Sequence, residues 1–409
     1  MRRIVMKFGG TSVADLPRIG AVSNIIVDEL NNFPQIVVVV SAMAGQTNEL
    51  GKKVEEITSL YDAREYSAIV SAGENITAGL VALQLQEMGI NARSWQGWQV
   101  PLFTSDEHSS ARIVKIGTEN LVKKFSEGMQ VAVVAGFQGI AKDGRLTTLG
   151  RGGSDTSAVA LAAALKVERC DIFTDVDGVY TTDPRICNKA RKLERISFEE
   201  MLEMASLGAN VLQTRSVELA TIYDVPLRVL SSFSKKGNGT VVCSEGEIVE
   251  NKVIAGVAFS REEAKITLTG VEDRPGVAAE IFGRLADNSV NVDMIVQNIS
   301  DKGLTDLTFS CPISQVNWAE KALNDSNVDE KLSYGNLLVD KDIAKLSIVG
   351  VGMKTHAGIA KKMFDALAKE SINILVISTS EIKISVLIRR KYLELAVQTL
   401  HDAFELEKA

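Results

Sequence analysis

Histidine and cysteine are scarce in this chain. Only His108, His356 and His401 occur in 409 residues, too few and too scattered for a histidine-built metal site. The four cysteines, Cys170, Cys187, Cys243 and Cys311, form no C-x-x-C pair. That spacing suggests a reducing compartment and no zinc site. Long apolar runs are missing too: none approaches the length of a membrane span. Ile36–Val40 is apolar but short and reads as a buried strand. Met1 to Gly10 carries two arginines but neither an apolar core nor a cleavage site, so no secretory signal is expected. Positive charge does not dominate either. The net charge is −7 and no long basic stripe offsets it, which argues against a nucleic-acid role. The expectation is a cytoplasmic protein with no metal site of its own and no nucleic-acid or membrane partner.

What the chain has in quantity is apolar residues, 45% of the total, and 31 glycines. This is the composition of a globular protein with a sizeable core, and the length suits two or three domains. One stretch stands out, Thr147 to Leu165, which reads T-T-L-G-R-G-G-S-D-T-S-A-V-A-L-A-A-A-L. Gly150, Gly152 and Gly153 prevent regular structure in its front half. From Thr156 the Ala/Leu-rich sequence predicts a helix, with Ser154 and Asp155 placed to cap it. A glycine loop feeding a helix N-terminus gathers unpaired N–H groups and favours an anion. Arg151 adds a fork-shaped donor for carboxylate or phosphate. The same stretch would also serve as a plain connection between a strand and a capped helix.

The rest of the first half alternates strands with helices. Strands are predicted at Ile4–Phe8, Ile36–Val40, Val131–Ala135, Arg169–Thr174, Pro226–Leu230 and Thr240–Cys243. Pro17 suits the first turn of a helix that carries Ile19, Val22, Ile25, Ile26 and Leu30. Glu65 to Met88 reads as one long helix ended by Gly89. Ser197 and Glu200 have the spacing of a capping box. This order predicts an α/β fold, a mostly parallel open sheet covered by helices. Ligands would bind beyond the carboxyl ends of its strands, where each glycine or polar loop falls.

Ser244 to Lys252 reads as a linker, and beyond it lies a repeat. Ile266–Gly270 matches Leu346–Gly350. Pro275, Gly276, Phe282, Leu285 and Asn291 match Ala357, Gly358, Phe364, Leu367 and Asn373, all at an offset of 82. A constant offset indicates duplicated α+β units. The expected domains are 1–244, a linker 245–252, and 253–409. The first repeat unit spans about 265–335, and the second about 253–263 plus 344–409.

Several side chains carry chemistry. Lys7 ends the first strand beside Gly9 and Gly10, where it could reach a phosphate or remain a solvated strand-end lysine. No G-x-x-x-x-G-K-[ST] occurs, and Gly150–Asp155 fails G-x-G-x-x-G because Asp155 occupies the third glycine position. Glu74 could bind an ammonium group or sit on a helix surface. Asp175, Asp177 and Asp183 crowd one loop and could attract magnesium, order a nucleotide, or serve turns.

Taken together, K-F-G-G-T-S at Lys7, S-A-M at Ser41, A-G-E at Ala72, T-T-L-G-R-G-G-S-D-T at Thr147 and T-D-V-D-G-V-Y-T-T-D-P-R at Thr174 resemble the aspartokinase family of the amino-acid-kinase fold. The C-terminal repeat resembles that family's tandem ACT module, two βαββαβ units. The resemblance covers nearly the whole chain. It implies transfer of the ATP γ-phosphoryl to the side-chain carboxylate of L-aspartate, with Mg²⁺ carried by ATP. It also implies lysine and/or threonine as feedback effectors, and a homodimer or higher homo-oligomer formed through the ACT units. On this resemblance Lys7 and Asp155 are catalytic. Lys7, Phe8, Gly9, Gly10, Ser41, Thr174, Asp175, Val179, Tyr180, Thr181, Thr182, Asp183, Pro184 and Arg185 line the nucleotide, with Lys235 or Lys236 as further candidates. Thr47, Glu74, Arg151, Gly152, Gly153 and Ser154 bind aspartate. Effector contacts fall at Asp273, Arg274, Pro275, Gly276, Val277, Ala278, Asn291, Val292, Asp293 and Gln297. In the second copy they fall at Ile359, Ala360, Asn373, Ile374, Ser380 and Glu381. Since the chain ends soon after the second repeat, a fused homoserine dehydrogenase is not expected.

Overall fold

The computed structural model describes every residue except 1, 209–210, 235–236, 248–252, 300–302, 325–332, 352, 354–355, 357 and 409. The chain divides into two units. The first comprises Met1–Val179, Lys192–Ser206 and Asn210–Val249; the second comprises Tyr180–Arg191, Leu207–Ala209 and Glu250–Ala409.

In the first unit the strand Gln35–Val40 is buried at every position. Ile36, Val38 and Val40 join a core that includes Met6, Phe8 and Val81, while Val37 and Val39 are equally buried. A strand covered on both faces needs no polar alternation, which explains the continuous valines. Across the sheet the strands run Arg195–Ser197, Thr240–Cys243, Leu227–Ser231, Cys170–Thr174, Arg3–Phe8, Gln35–Val40, Val131–Ala135 and Ala92–Trp95. Every adjacent pair is parallel except Leu227–Ser231 with Thr240–Cys243. Arg3–Phe8 is central, so the loops leaving it and its parallel neighbours open on one edge of the sheet. Such an edge is where open α/β sheets hold ligands.

Local signals act largely as predicted. Asp15 accepts from the Arg18 N–H at 2.8 Å and caps Leu16–Leu30, which has Pro17 in its first turn. Ser197 and Glu200 exchange both capping-box bonds at 3.1 Å. Two expectations are corrected. The predicted helix Glu65–Met88 is two helices, Ala63–Val70 and Ala72–Glu87, broken at Ser71. Just past it, Gly73 packs against Ala42, where an added Cβ would lie 2.6 Å from the Ala42 Cβ. Among the described residues, Ala63–Glu87 is the one helical stretch long and apolar enough to cross a membrane by length and composition. Half of its most apolar window is buried inside the fold. The second correction concerns Ser154 and Asp155, which lie inside the first turn of helix Gly153–Leu165. That helix is preceded by Gly152 in the left-handed region, with no side-chain cap.

The second unit contains two four-stranded antiparallel sheets. One runs Ile295–Ile299, Leu304–Pro312, Glu263–Glu272, Asn336–Asp340; the other runs Ile374–Thr379, Lys383–Arg389, Ile343–Val349, Gly256–Ser260. Each packs two helices on an apolar core of its own. The sequence repeat is a structural one: Val277–Asp287 and Ile359–Lys369 are both 11-residue helices, each preceded by a left-handed glycine. Gly256–Ser260 pairs with Ile343–Val349, from which it is separated in sequence by the whole other sheet.

The units change at Val249/Glu250, inside the expected linker 245–252, but Tyr180–Arg191 and Leu207–Ala209 of the expected first domain fall in the second unit. Tyr180–Arg191 groups with the second unit, because the Val257 N–H donates to the Thr181 carbonyl at 2.7 Å and Gln398 donates to the Ile186 carbonyl at 2.8 Å. Of the expected linker, Glu245–Glu247 forms a short 3-10 turn, and 248–252 lie outside the described residues.

Candidate active site

The first unit brings its candidates together on the sheet edge described above. Lys7 sits in register with Val39 and Ile172 of the flanking strands. Its ammonium lies 2.5 Å from the Asp155 carboxylate, and both residues are buried, at 8% and 7% exposure. Removing one member of such a pair leaves an uncompensated charge and costs about 3–5 kcal/mol. This pairing, rather than helix capping, is what Asp155 does here. An added Cβ on Gly9 would lie 3.5 Å from Lys7 Nζ, so the glycine turn runs directly over the ammonium. Phe8, expected at the nucleotide, turns its ring into the core and stacks on Phe173 at 4.6 Å; only its backbone reaches the edge. The Ser41 N–H donates to the Phe8 carbonyl at 3.1 Å, which joins the next loop to the first.

Glu74 is 3% exposed, against the expectation of an exposed helix-surface residue as its alternative reading. Its Oε1 accepts from the Ala42 N–H at 3.1 Å, while Oε2 is buried with no hydrogen-bond partner. Burial pushes this carboxyl up to about 7, partly offset by the Ala42 N–H. An unpaired buried carboxylate of this kind asks for a cation, and an ammonium group supplies charge and donors together. Thr47 lies nearby in the first turn of helix Gln46–Ile57, and Gln46 flanks Gly73.

The glycine stretch closes the site. Gly152 has φ +70°, and a Cβ there would lie 1.9 Å from Gln213 Cγ, so both conformation and space demand glycine. Ser154 is buried against Gly136. Arg151 stays exposed on the turn. Thr174 ends its strand and accepts from the Val176 N–H at 3.0 Å. Asp175 is exposed, and Asp177 pairs with Lys192 at 3.0 Å. Val179 donates to Thr240 Oγ1 at 2.8 Å. Among the described residues no three His, Cys, Asp or Glu side chains cluster closely enough to hold a metal ion.

The remaining nucleotide candidates belong to the second unit. Thr181 and Thr182 are buried there and Tyr180 half-buried, while Pro184 and Arg185 are exposed. Arg185 pairs with Asp183 at 2.7 Å, which holds the Asp183 carboxyl below its usual range. Thr181 Oγ1 and His401 Nε2 are 2.9 Å apart and both buried; burial pushes His401 below its usual value. His401 was not singled out in the sequence, because nothing local marks it. Lys235 and Lys236 lie outside the described residues.

The effector candidates fall at equivalent places in the two repeats. Asp273, Arg274, Pro275 and Gly276 form the turn before helix Val277–Asp287, and Arg274 pairs with Glu280 at 2.7 Å. Val277 is buried and Ala278 half-buried. Asn291 is exposed and its N–H donates to Gln315 at 2.7 Å. Val292 is half-buried, and Gln297 is exposed on an edge strand. The Asp293 carboxylate, expected to face a ligand, pairs with buried Lys345. Burial pushes neighbouring Glu263 up to about 7, against Lys345 and with Asp293. In the second copy Ile359 and Ala360 open the equivalent helix. Asn373, Ser380 and Glu381 are exposed, and Ile374 half-buried. Of the turn before that helix, residue 357 lies outside the described residues.

Comparison with known proteins bears on the family. Residues 2–231 match the amino acid kinase family, and 265–325 and 346–404 each match the ACT domain. An aspartate kinase of Pseudomonas putida is 51% identical over 408 residues, covering 100% of this chain and 98% of that protein. E. coli aspartokinase III in complex with aspartate and ADP superposes with a TM-score of 0.80 at 27% identity, covering 98% of this chain and 99% of that one. The same E. coli enzyme in complex with lysine and aspartate gives 0.73 over the same shares. With 51% identity to an aspartate kinase along its whole length, and with matches to the amino acid kinase family and to two ACT domains, the chain belongs to the aspartate kinase family of amino acid kinases with C-terminal tandem ACT domains.

Proposed function

We propose that this protein is a cytoplasmic, ATP-dependent kinase that transfers the γ-phosphoryl group to the side-chain carboxylate of L-aspartate. The product is 4-phospho-L-aspartate, the first intermediate toward lysine, threonine and methionine. The observation that carries the proposal is Glu74, whose buried Oε2 has no partner on the sheet edge that holds the Lys7–Asp155 pair. One group suits the α-ammonium of an amino acid and the other suits phosphate.

The nucleophile needs no general base, because an aspartate side chain with a pKa of about 3.9 is ionised at neutral pH. One carboxylate oxygen attacks the γ-phosphorus as the bond to the β-phosphate oxygen breaks and ADP leaves. The difficulty is bringing an anion to a polyanion, so positioning and charge neutralisation must carry the rate. Lys7, held by Asp155 under the Gly9–Gly10 turn, neutralises phosphate charge; Ser41, Thr174, Asp175 and Val179 border the nucleotide. Glu74 holds the substrate ammonium, with Thr47 beside it. Arg151 takes the α-carboxylate on a loop shaped by Gly152, Gly153 and Ser154. Mg²⁺ enters with ATP as part of the substrate.

The ACT units would bind lysine and/or threonine as feedback effectors. Their edge strands expose Ile295, Leu338 and Ile377, apolar surface that a second copy of the chain could cover in a homodimer or larger assembly. ADP release measured with ATP, Mg²⁺ and either aspartate or glutamate tests the substrate. Addition of lysine and threonine, separately and together, tests control. Preference for glutamate, or ADP release independent of aspartate, would overturn the proposal.

A further inference from the structure

The helix Thr214–Tyr223 starts far from the glycine stretch in sequence but directly against it in space. Arg215, in its first turn, donates from Nη1 to the Leu149 carbonyl and from Nη2 to the Ala111 carbonyl, both at 2.9 Å. These carbonyls belong to neighbouring segments already joined by the Ala111 N–H to Thr148 carbonyl bond at 3.0 Å. The Leu149 N–H is itself held by the Phe137 carbonyl at 2.9 Å. Leu149, the residue entering Gly150–Arg151, is therefore held at both its N–H and its carbonyl. Two residues before Arg215, the Gln213 side chain fills the space beside Gly152. The first turn of one helix thus braces the loop on either side of Arg151.

Arg215 is an unusual choice for a brace. It is half-buried, and among the described residues no carboxylate pairs with it. Burial and neighbouring Arg112 push its guanidinium below its usual range, with Glu218 opposing. A neutral side chain could hold a loop without burying an unpaired cation. A cation held by two carbonyls keeps its charge available to an anion at the loop.

We infer that Arg215 is a positioning residue: it orients the loop that presents Arg151 to the substrate α-carboxylate and adds positive charge behind it. The inference rests on the reading of Arg151 given above.

The test uses the full-length protein and steady-state kinetics for both substrates, with thermal unfolding to verify the fold. Arg215→Met should raise KM for aspartate about tenfold or more while KM for ATP and kcat stay within about threefold. Arg215→Lys, which keeps the charge but can serve only one carbonyl well, should fall between wild type and Arg215→Met, and it decides the matter if Arg215→Met does not fold. In the Arg151→Ala background, adding Arg215→Met should raise KM for aspartate by less than about threefold, because the two act through one contact. An unchanged KM for aspartate in a folded variant, an equal rise for ATP, or additive effects would overturn the inference. If Arg151→Ala itself leaves KM for aspartate unchanged, the reading of Arg151 fails and this inference fails with it. If only Arg151→Ala has an effect, the reading stands and the inference alone is lost.

Discussion

Each unit of the molecule holds a lysine–carboxylate pair with a buried lysine, and the two pairs differ in one respect. In the first unit both side chains of Lys7–Asp155 are closed off, each at 10% exposure. In the second, Lys345 is closed off at 4% but its partner Asp293 is 44% exposed. A pair buried on both sides is costly to disturb and holds its charges in one geometry, which suits a group that must meet a phosphate in a fixed place. A pair with an open carboxylate can keep its buried lysine compensated and still offer its solvent-facing oxygen to a ligand ammonium. The difference suggests fixed electrostatics where chemistry is proposed and an adjustable contact where control is proposed.

The comparison is most easily broken at Lys7. If its charge stabilises the transition state, Lys7→Ala should lower kcat by roughly 10²-fold or more in a folded variant. Arg151→Ala should mainly raise KM for aspartate, by roughly 10- to 100-fold, because it removes a bidentate contact made before and during reaction. A rise confined to KM for ATP would reassign Arg151 to the nucleotide.

Glu74 sharpens the comparison through pH. Its folded-state value of about 7 lies above the ordinary 4.5, so the free folded protein binds this proton more tightly than the unfolded chain does. Stability of the free protein therefore falls as pH rises through the window from 4.5 to about 7. Glu74→Gln should melt higher than wild type at pH 8 and match it below pH 4.5. An ammonium ligand needs the ionised form, so KM for aspartate in the wild type should rise up to about tenfold per pH unit below neutrality. A pH-independent KM would remove Glu74 from the substrate site. The smallest effect is expected at Asp293. Asp293→Asn keeps an acceptor for Lys345 but removes the charge, and should raise the lysine or threonine concentration for half-inhibition about tenfold or less. The ratio of activities with and without effector reads this directly.

Much of the fold was legible because its signals are local. Continuous valine at 37–40 marked a strand buried on both faces, Ser197 and Glu200 marked a capping box that forms as drawn, and the 82-residue offset marked two equivalent helices. What was not legible depends on residues remote in sequence. Asp155 reads as a cap, but the ammonium of Lys7 outcompetes that role. The break at Ser71 falls inside a continuous helical pattern that carries no local stop signal. Arg215 acts on carbonyls 66 and 104 positions away. His401 meets Thr181 across 220 positions, which is also why a segment with a kinase-like sequence groups with the C-terminal unit.

The most direct test of the contrast between the two pairs is hydroxylamine trapping of the acyl phosphate formed from ATP and aspartate. It should be run without effector on folded Lys7→Met and Lys345→Met side by side. The account predicts that Lys345→Met forms aspartyl hydroxamate at close to the wild-type rate while Lys7→Met falls by roughly 10²-fold or more. Wild-type turnover in Lys7→Met, or an equal loss in both variants, would contradict it.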